Sequence, residues 1–221
     1  MFTGIIQALG SAEKSEKRGG DIRLTIACGE FDLSRTQLGD SIAVNGACLT
    51  VIELGTHSFC ADVSVETMNK TSLGDLAPGS PVNLEPALTL SDALGGHLVS
   101  GHVDGVGTLV EMEPDGRSIR YRFEIDPSLQ HYIAAKGSVT VDGTSLTVNG
   151  VEANRFDVNI VPHTQQKTVF QYYRPGSRVN IEVDIIARYL ERLLGGRADA
   201  GDDKDQRLLE TLIKSGFVNH E

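Results

Sequence analysis

The chain has 221 residues, of which 40% are hydrophobic and 23% are charged. This composition is sufficient for a buried core, so it excludes intrinsic disorder and collagen-like repeats. The net charge of −10 argues against a nucleic-acid partner, because binding a phosphate backbone requires a basic surface.

The cysteine count and the hydropathy pattern bear on location. Cys28, Cys48 and Cys60 are an odd number of cysteines in a chain that begins without a basic leader segment. This pattern indicates neither secretion nor a disulfide framework, so we expect a cytoplasmic protein. No stretch approaches the roughly 20 apolar residues of a membrane-spanning helix, so we expect no membrane association.

A constant offset of 97 residues aligns the first part of the chain with the second. SIAVNGACLTV at 41–51 falls on SVTVDGTSLTV at 138–148, and the register holds over the whole copy. We therefore predict two duplicated domains, 1–97 and 98–186, and not a solenoid, which needs at least ~3 repeats.

Within each copy, apolar and polar residues alternate, as they do from Ile22 to Ile26 and from Ser118 to Ile125. Such alternation is typical of half-buried strands. The strands are short and are separated by Asn-Gly, Asp-Gly and Pro-Gly dipeptides that favour turns. We therefore predict an all-β fold in which each copy forms a small, closed antiparallel barrel.

The period changes at the C-terminal end of the second copy. Apolar residues from Ile185 to Leu194 recur at helical spacing before Gly195-Gly196, which predicts a helix over 184–195. This helix can pack on its own barrel or join subunits, and the sequence leaves both open. A polar tail at 196–221 follows. Its apolar residues allow a second amphipathic helix: Leu208, Leu209, Leu212 and Ile213.

Equivalent residues of the two copies have diverged in chemistry at five positions, while their neighbours have not. The pairs are Cys48 and Ser145, Asn45 and Asp142, Ile5 and His102, Gly39 and Lys136, and Glu66 and His163. The second copy thus holds groups suited to proton transfer and polar-ligand binding. Two related pockets with unequal groups indicate a reaction in which two similar molecules act as donor and acceptor.

Each candidate also has a structural interpretation. Cys48 can be an inert buried thiol, and the turns at Asn45 and Asp142 need no further role. His102 can cap a loop, and Lys136 can be a solvated charge. The six histidines and three cysteines show no close ligand spacing, and no glycine-rich phosphate loop opens a helix, so we expect no metal.

Five segments carry specific motifs: MFTGI at 1–5, NGACLTV at 45–51, GGHLVSGHV at 95–103, DGTSLTV at 142–148 and VNIEV at 179–183. Together they resemble the riboflavin synthase family of the alpha-chain type. The resemblance covers residues 1 to about 194. It implies two tandem six-stranded Greek-key barrels and a C-terminal helix that joins three chains into a homotrimer.

The resemblance also implies the reaction. Two molecules of 6,7-dimethyl-8-ribityllumazine give riboflavin and 5-amino-6-(D-ribitylamino)uracil by four-carbon transfer, the last step of riboflavin biosynthesis, without a metal or an organic cofactor. The active site is implied to form between the N-terminal barrel of one subunit and the C-terminal barrel of its neighbour. Association with lumazine synthase is a further partnership that the resemblance allows.

Two other interpretations compete. A paralogue of the same fold can bind a lumazine or flavin without turning it over, but His102, Ser145, Cys48 and Lys136 together favour the enzyme. The flavin-binding barrel of ferredoxin-reductase-like oxidoreductases is disfavoured, because residues 120–123 do not match its Arg-x-Tyr-Ser motif.

The resemblance assigns substrate contacts to two pockets. The first is expected to comprise Gly4, Ile5, Ile6, Cys48, Leu49, Thr50, Asp62, Val63, Ser64, Val65, Glu66 and Thr67. The second is expected to comprise Gly101, His102, Val103, Lys136, Ser145, Leu146, Thr147, Val161, Pro162, His163, Thr164, Gln165 and Gln166. Our catalytic hypothesis is that Ser145, with Asp142 and His102 nearby, assists proton transfer, while Cys48 acts on the second lumazine. Lys136 is the fifth catalytic candidate.

Overall fold

The structure is a computed structural model that describes residues 1–194. The expected tail at 196–221, with its second amphipathic helix, lies outside the described residues. The strands of the described part belong to two closed antiparallel barrels, one from each copy of the repeat.

The first barrel has the strand order β1-β2-β5-β4-β3-β6. Its strands are β1 Ala8–Arg18, β2 Asp21–Ala27, β3 Ser41–Val44, β4 Ala47–Leu54, β5 Ser58–Val63 and β6 Pro81–Pro86. Between β5 and β6 lie helix α1, Val65–Lys70, and a 3-10 turn, Ser72–Asp75.

The second barrel has the order β10-β11-β8-β7-β12-β9. Because a closed barrel has no first strand, this is the same ring as in the first barrel with six added to each strand number. Its strands are β7 Gly105–Asp115, β8 Ser118–Glu124, β9 Ser138–Val141, β10 Thr144–Glu152, β11 Arg155–Ile160 and β12 Arg178–Val183. Helix α2, Pro162–Lys167, and 3-10 turns at Pro127–Tyr132 and Val169–Tyr172 complete it. The predicted tandem of six-stranded Greek-key barrels is confirmed.

Residues 185–194 form helix α3, which confirms the predicted C-terminal helix within the described part of the chain. Five of its apolar side chains are more than half exposed: Ile186, Tyr189, Leu190, Leu193 and Leu194. Among the helices of residues 1–194, none is both long and apolar enough to cross a membrane.

The alternating pattern fills the two barrel interiors. Leu24 and Ile26 of β2 are buried in the first, whereas the second is packed with aromatic rings. The Tyr121 ring meets the Phe170 ring edge-on, with centroids 5.1 Å apart, and Phe123 packs on Phe156 at 5.5 Å. The edge-to-face packing of Tyr121 on Phe170 is favourable beyond the area it buries.

The two barrels meet at their β3–β4 and β9–β10 hairpins. Asn45-Gly46 and Asp142-Gly143 form these turns with positive φ at both residues, as type I′ turns require. A Cβ on Gly46 would lie 2.7 Å from the backbone nitrogen of Gly143, and one on Gly143 would lie 2.8 Å from that of Gly46. The close approach of the hairpins therefore requires glycine on both sides.

Two equivalent asparagines join the barrels next to this contact. The Asn83 side-chain amide donates to the Asp142 carbonyl at 2.8 Å, and the Asn180 amide donates to the Asn45 carbonyl at 2.7 Å. Their side-chain oxygens accept from the backbone of the opposite barrel, at 2.8 Å from Val169 and 2.6 Å from Ser72. The contact is therefore pseudo-two-fold symmetric and fully buried.

Asp142 departs from this symmetry for a structural reason. Its carboxylate accepts a hydrogen bond from the Tyr173 hydroxyl and another, at 2.7 Å, from the Asn180 backbone. In the first copy the equivalent residues are Asn45 and Leu76, so the carboxylate and the phenol have replaced the amide and the aliphatic side chain together. Burial raises the pKa of Asp142 to about 7, against the opposing effect of these hydrogen bonds.

The raised pKa of Asp142 predicts a pH-dependent stability difference for Asp142→Asn. An unfolded aspartate titrates near pH ~4, so between about pH 4 and 7 the native chain holds this proton more tightly than the unfolded chain does. The stability that the neutral carboxyl contributes is lost as the pH rises through this window. We expect the free energy of unfolding of Asp142→Asn, relative to wild type, to increase by up to about 1.4 kcal/mol per pH unit. Urea unfolding of both proteins from pH 4.5 to 7 measures this, and a pH-independent difference would contradict it.

Candidate functional site

Ser145, at the start of β10 in the second barrel, lies beneath the N-terminal segment of the chain. Its backbone N–H donates to the Gly4 carbonyl at 2.8 Å. Gly4 has a φ of +77°, and a Cβ there would lie 2.5 Å from the Ser145 Cβ. Glycine at position 4 therefore allows the segment before the first barrel to reach the second.

Cys48, on β4 of the first barrel, has the equivalent environment. Its backbone N–H donates to the Gly101 carbonyl at 2.9 Å. A Cβ on Gly101, whose φ is +81°, would lie 2.7 Å from the Cys48 Cβ. Each segment that precedes a barrel thus lies on the fourth strand of the other barrel.

This exchange bears on the grouping of the expected pockets. The resemblance placed Gly4 to Ile6 with Cys48, and Gly101 to Val103 with Ser145. The hydrogen bonds instead join Gly4 to Ser145 and Gly101 to Cys48. Val103 also packs against the core of the first barrel. Within the described residues, Gly4 thus contacts the reactive residue of the other expected pocket, and Gly101 does the same.

Ser145 has a reactive neighbour that sequence reasoning missed. Its hydroxyl lies 2.7 Å from Nδ1 of His97, whose backbone N–H donates to the Thr3 carbonyl at 3.1 Å. The imidazole Nε2 is buried, and no atom of the described residues is a hydrogen-bond partner for it. Burial lowers the pKa of His97, while the charge of Asp184 raises it. A neutral imidazole at this distance can take a proton from the serine hydroxyl.

The sequence contained evidence for His97 and Asp184, which lie near the ends of the two copies of the repeat. His97 is the last residue of the first copy, and the offset carries it to residue 194, beyond the end of the second copy, although it lies in the GGHLVSGHV motif. Asp184 is equivalent to Ala87, so extending the search for diverged pairs by one residue past β12 would have found it.

The other catalytic candidates form hydrogen bonds with residues other than Ser145. His102 is exposed, and its N–H donates to the Ser100 hydroxyl at 3.3 Å, beside the segment that covers Cys48. Asp142 is 2% exposed and bonds to Tyr173 within the contact between barrels. Within residues 1–194 the Ser145 hydroxyl is hydrogen-bonded to His97, and neither Asp142 nor His102 is its partner. Their joint action with Ser145 stays a prediction.

Lys136 is exposed on the turn before β9 and has a φ of +68°. Its N–H donates to the Val148 carbonyl at 2.8 Å, as the equivalent Gly39 does to Val51. A lysine in a left-handed conformation costs about 1–3 kcal/mol, and such strain concentrates at functional sites. The predicted role of Lys136 in the site stays a prediction.

The remaining expected contacts lie on surfaces beside the two reactive residues or in the cores. Ser64 caps α1 by accepting from the Thr67 N–H at 3.1 Å, and Asp62 pairs with Arg23 at 2.8 Å. Leu49 and Val63 are buried in the first core. Thirteen other expected contact residues are partly or fully exposed: Ile5, Ile6, Thr50, Val65, Glu66, Leu146, Thr147, Val161, Pro162, His163, Thr164, Gln165 and Gln166.

Two cavities of the described residues lie near the barrels. One of about 820 Å³ is lined by Ile5, Gly95 and residues of the first barrel, and one of about 410 Å³ lies between the barrels at Asp142 and Tyr173. Neither is lined by Ser145 or Cys48. Within residues 1–194, no group of three or more His, Cys, Asp or Glu side chains could hold a metal ion.

A family model described as Lumazine binding domain matches residues 3–87 and 100–184, one match per barrel. The fold and its paired sites thus define a protein with two tandem domains of this kind.

The chain is 43% identical to the riboflavin synthase of Photobacterium phosphoreum over 219 residues, which cover 99% of this chain and 100% of the relative. Its identity to the riboflavin synthase of Bacillus subtilis (strain 168) is 43%, covering 98% of this chain and 100% of the relative. Its identity to the riboflavin synthase of Mycobacterium bovis is 46%, covering 88% of this chain and 98% of the relative. The chain belongs to the riboflavin synthase family.

Solved structures of LumP share the architecture. LumP complexed with riboflavin superimposes with a TM-score of 0.75 and 25% identity, covering 83% of this chain and 99% of that chain. The complex with 6,7-dimethyl-8-(1'-D-ribityl) lumazine gives a TM-score of 0.73 at 24% identity, with the same coverage.

The environment of His97 predicts its titration. We expect its pKa to lie below the usual value of about 6.5, because burial outweighs the effect of Asp184. Asp184→Asn should lower the pKa of His97 further, because it removes the charge that favours the imidazolium. Proton NMR titration of the imidazole Cε1–H measures both, with His57 of the β4–β5 turn as an internal reference. A rise in the His97 pKa in Asp184→Asn would contradict this electrostatic assignment.

Proposed function

We propose that this protein is a riboflavin synthase. It converts two molecules of 6,7-dimethyl-8-ribityllumazine into riboflavin and 5-amino-6-(D-ribitylamino)uracil. Beside the family relationship, one observation carries the proposal: two equivalent barrels present different reactive groups at the same structural position, Cys48 and Ser145. A dismutation needs this asymmetry, because one substrate donates four carbons and an identical one accepts them.

The chemistry requires a carbanion and a close partner. The 7-methyl group of one lumazine loses a proton, and the resulting anion attacks the other lumazine. Holding two heterocycles in the reacting geometry can supply about 7–11 kcal/mol of the barrier. The protein therefore has to orient the pair and move protons, and the proposal requires no cofactor.

Ser145 and His97 are our candidates for proton movement. The distance of 2.7 Å between the hydroxyl and Nδ1 is within the range for general acid–base transfer. A neutral imidazole can take the serine proton, so that the serine oxygen can act on the lumazine bound at the second barrel. Cys48 and His102 lie beside the first barrel's site, and we propose that they act on the other substrate. We assign the exposed ammonium of Lys136 to substrate binding.

We further propose that the protein is a homotrimer with active sites between subunits. Two features support this: the exposed apolar face of α3 and the open surfaces on which the expected contacts lie. A second subunit would enclose these surfaces and exclude water. A cytoplasmic location and association with lumazine synthase complete the proposal and are supported by the biosynthetic role of the family.

Turnover of the lumazine tests the proposed function. Incubating the protein with 6,7-dimethyl-8-ribityllumazine alone should produce riboflavin absorbance and fluorescence, with half a riboflavin formed per lumazine consumed. Ser145→Ala and Cys48→Ser should each lower kcat by roughly 100-fold, the usual contribution of a proton-transfer group. Binding of the lumazine without turnover by the wild-type chain would favour the binding protein instead.

Mixing the two variants tests where the active site forms. If each site combines the second barrel of one subunit with the first barrel of a neighbour, a mixed trimer contains a site with intact Ser145 and intact Cys48. Unfolding and refolding Ser145→Ala together with Cys48→Ser should therefore restore activity to an appreciable fraction of wild type. Refolding each variant alone is the control. No recovery from a mixture that forms mixed trimers would contradict the shared site.

A further inference from the structure

Two buried glutamates occupy equivalent positions on the last strand of each barrel. Glu85 on β6 and Glu182 on β12 are each 3% exposed. Glu85 accepts hydrogen bonds from the backbone and hydroxyl of Thr3, both at 2.7 Å, and from the Gly4 N–H at 3.1 Å. Glu182 accepts from the backbone of Ser100 at 2.6 Å, from its hydroxyl at 2.7 Å and from the Gly101 N–H at 3.0 Å.

The donors to these carboxylates are neutral groups. A buried carboxyl without a cationic partner is costly, and burial raises the pKa of both glutamates while the hydrogen bonds lower it. A neutral side chain would avoid this cost in a position that served packing alone. The carboxylates instead gather three donors each and hold one short segment of chain.

The segment held by Glu85 carries the partners of the second barrel's reactive pair. The Gly4 carbonyl accepts the Ser145 N–H at 2.8 Å, and the Thr3 carbonyl accepts the His97 N–H at 3.1 Å. Both ends of the Ser145–His97 contact therefore depend on the two residues that Glu85 fixes. The first barrel's glutamate thus sets the distance between a hydroxyl and an imidazole at the second barrel.

The segment held by Glu182 covers the first barrel's thiol in the same way. The Gly101 carbonyl accepts the Cys48 N–H at 2.9 Å, and the space above the Cys48 Cβ admits only a glycine. His102 is the next residue along the chain, and its backbone N–H donates to the Ser100 hydroxyl at 3.3 Å. The second barrel's glutamate therefore orients the groups at the first barrel.

We propose that Glu85 and Glu182 are crossed positioning residues: Glu85 sets the geometry of the Ser145 site, and Glu182 sets that of the Cys48 site. Neither glutamate reaches the reactive groups directly, because each acts through the segment that it holds. The effect on catalysis rests on the proposed function, whereas the effect on geometry does not.

The matched variants Glu85→Gln and Glu182→Gln test the crossing without substrate. Glutamine keeps the size of the side chain but turns one acceptor oxygen into a donor, so at least one bond to the segment is lost. We expect Glu182→Gln to raise the iodoacetamide alkylation rate of Cys48 by about tenfold, measured by peptide mass spectrometry on the native protein. Glu85→Gln should leave that rate within about twofold of wild type. Cys60 on β5 is the internal control for general loosening.

The reciprocal readout is the titration of His97. Glu85→Gln should shift the His97 imidazole resonances and pKa, and Glu182→Gln should leave both unchanged. The crossed assignment would be overturned if both variants affected Cys48 and His97 equally. It would also be overturned if Glu85→Gln changed only Cys48 and Glu182→Gln changed only His97. If the glutamine variants do not fold, Thr3→Val and Ser100→Ala remove one donor from each segment and should give the same crossed pattern with smaller changes.

Kinetics separate this inference from the proposed function. If the protein is a riboflavin synthase, both glutamine variants should lower kcat by about tenfold or more with little change in KM, because positioning acts on the reacting geometry. If wild type does not turn over the lumazine, the proposed function fails and the alkylation and NMR results still decide the crossing. If wild type turns over the lumazine but both glutamine variants leave the Cys48 alkylation rate and the His97 titration unchanged, the crossed assignment is refuted and the proposed function stands.

Discussion

The architecture depends on two buried side-chain amides, those of Asn83 and Asn180, that join the barrels across a pseudo-two-fold axis. Each amide donates to the hairpin of the opposite barrel and accepts from its 3-10 turn, so all the inter-barrel polar groups that they meet are satisfied. Leaving any of these groups unpaired in the interior would cost about 1–3 kcal/mol. The glycine contact between Gly46 and Gly143 brings the hairpins close enough for these bonds. The symmetric contact places each barrel's leading segment over the other barrel.

Equivalent positions that differ between the copies fall into two kinds. Asp142 and Tyr173 replace Asn45 and Leu76 as a pair inside the contact, so this change is balanced within the structure. Ser145 has no such balancing neighbour in the scaffold and meets His97 instead. Divergence compensated by a packed partner indicates structure, whereas divergence that brings two reactive groups together indicates chemistry.

Local patterns predicted the local structure. Alternating residues gave the strands, Asn45-Gly46 gave a hairpin turn, and the period change at Ile185 gave α3. The crossing of the leading segments could not be predicted in this way, because an alignment of two copies shows which residues are equivalent but not which barrel each one contacts. His97 was missed because the repeat has no counterpart for it, and the partner of Asp142 was missed because Tyr173 is distant in sequence.

Amide hydrogen exchange at Ser145 and Cys48 tests the crossed arrangement most directly. Gly4→Ala and Gly101→Ala each place a methyl group against one of these residues, at 2.5 and 2.7 Å between Cβ atoms. The account predicts that Gly4→Ala accelerates exchange of the Ser145 amide and leaves the Cys48 amide protected, and that Gly101→Ala does the reverse. Faster exchange at the residue of the same copy, or equal acceleration at both, would contradict it.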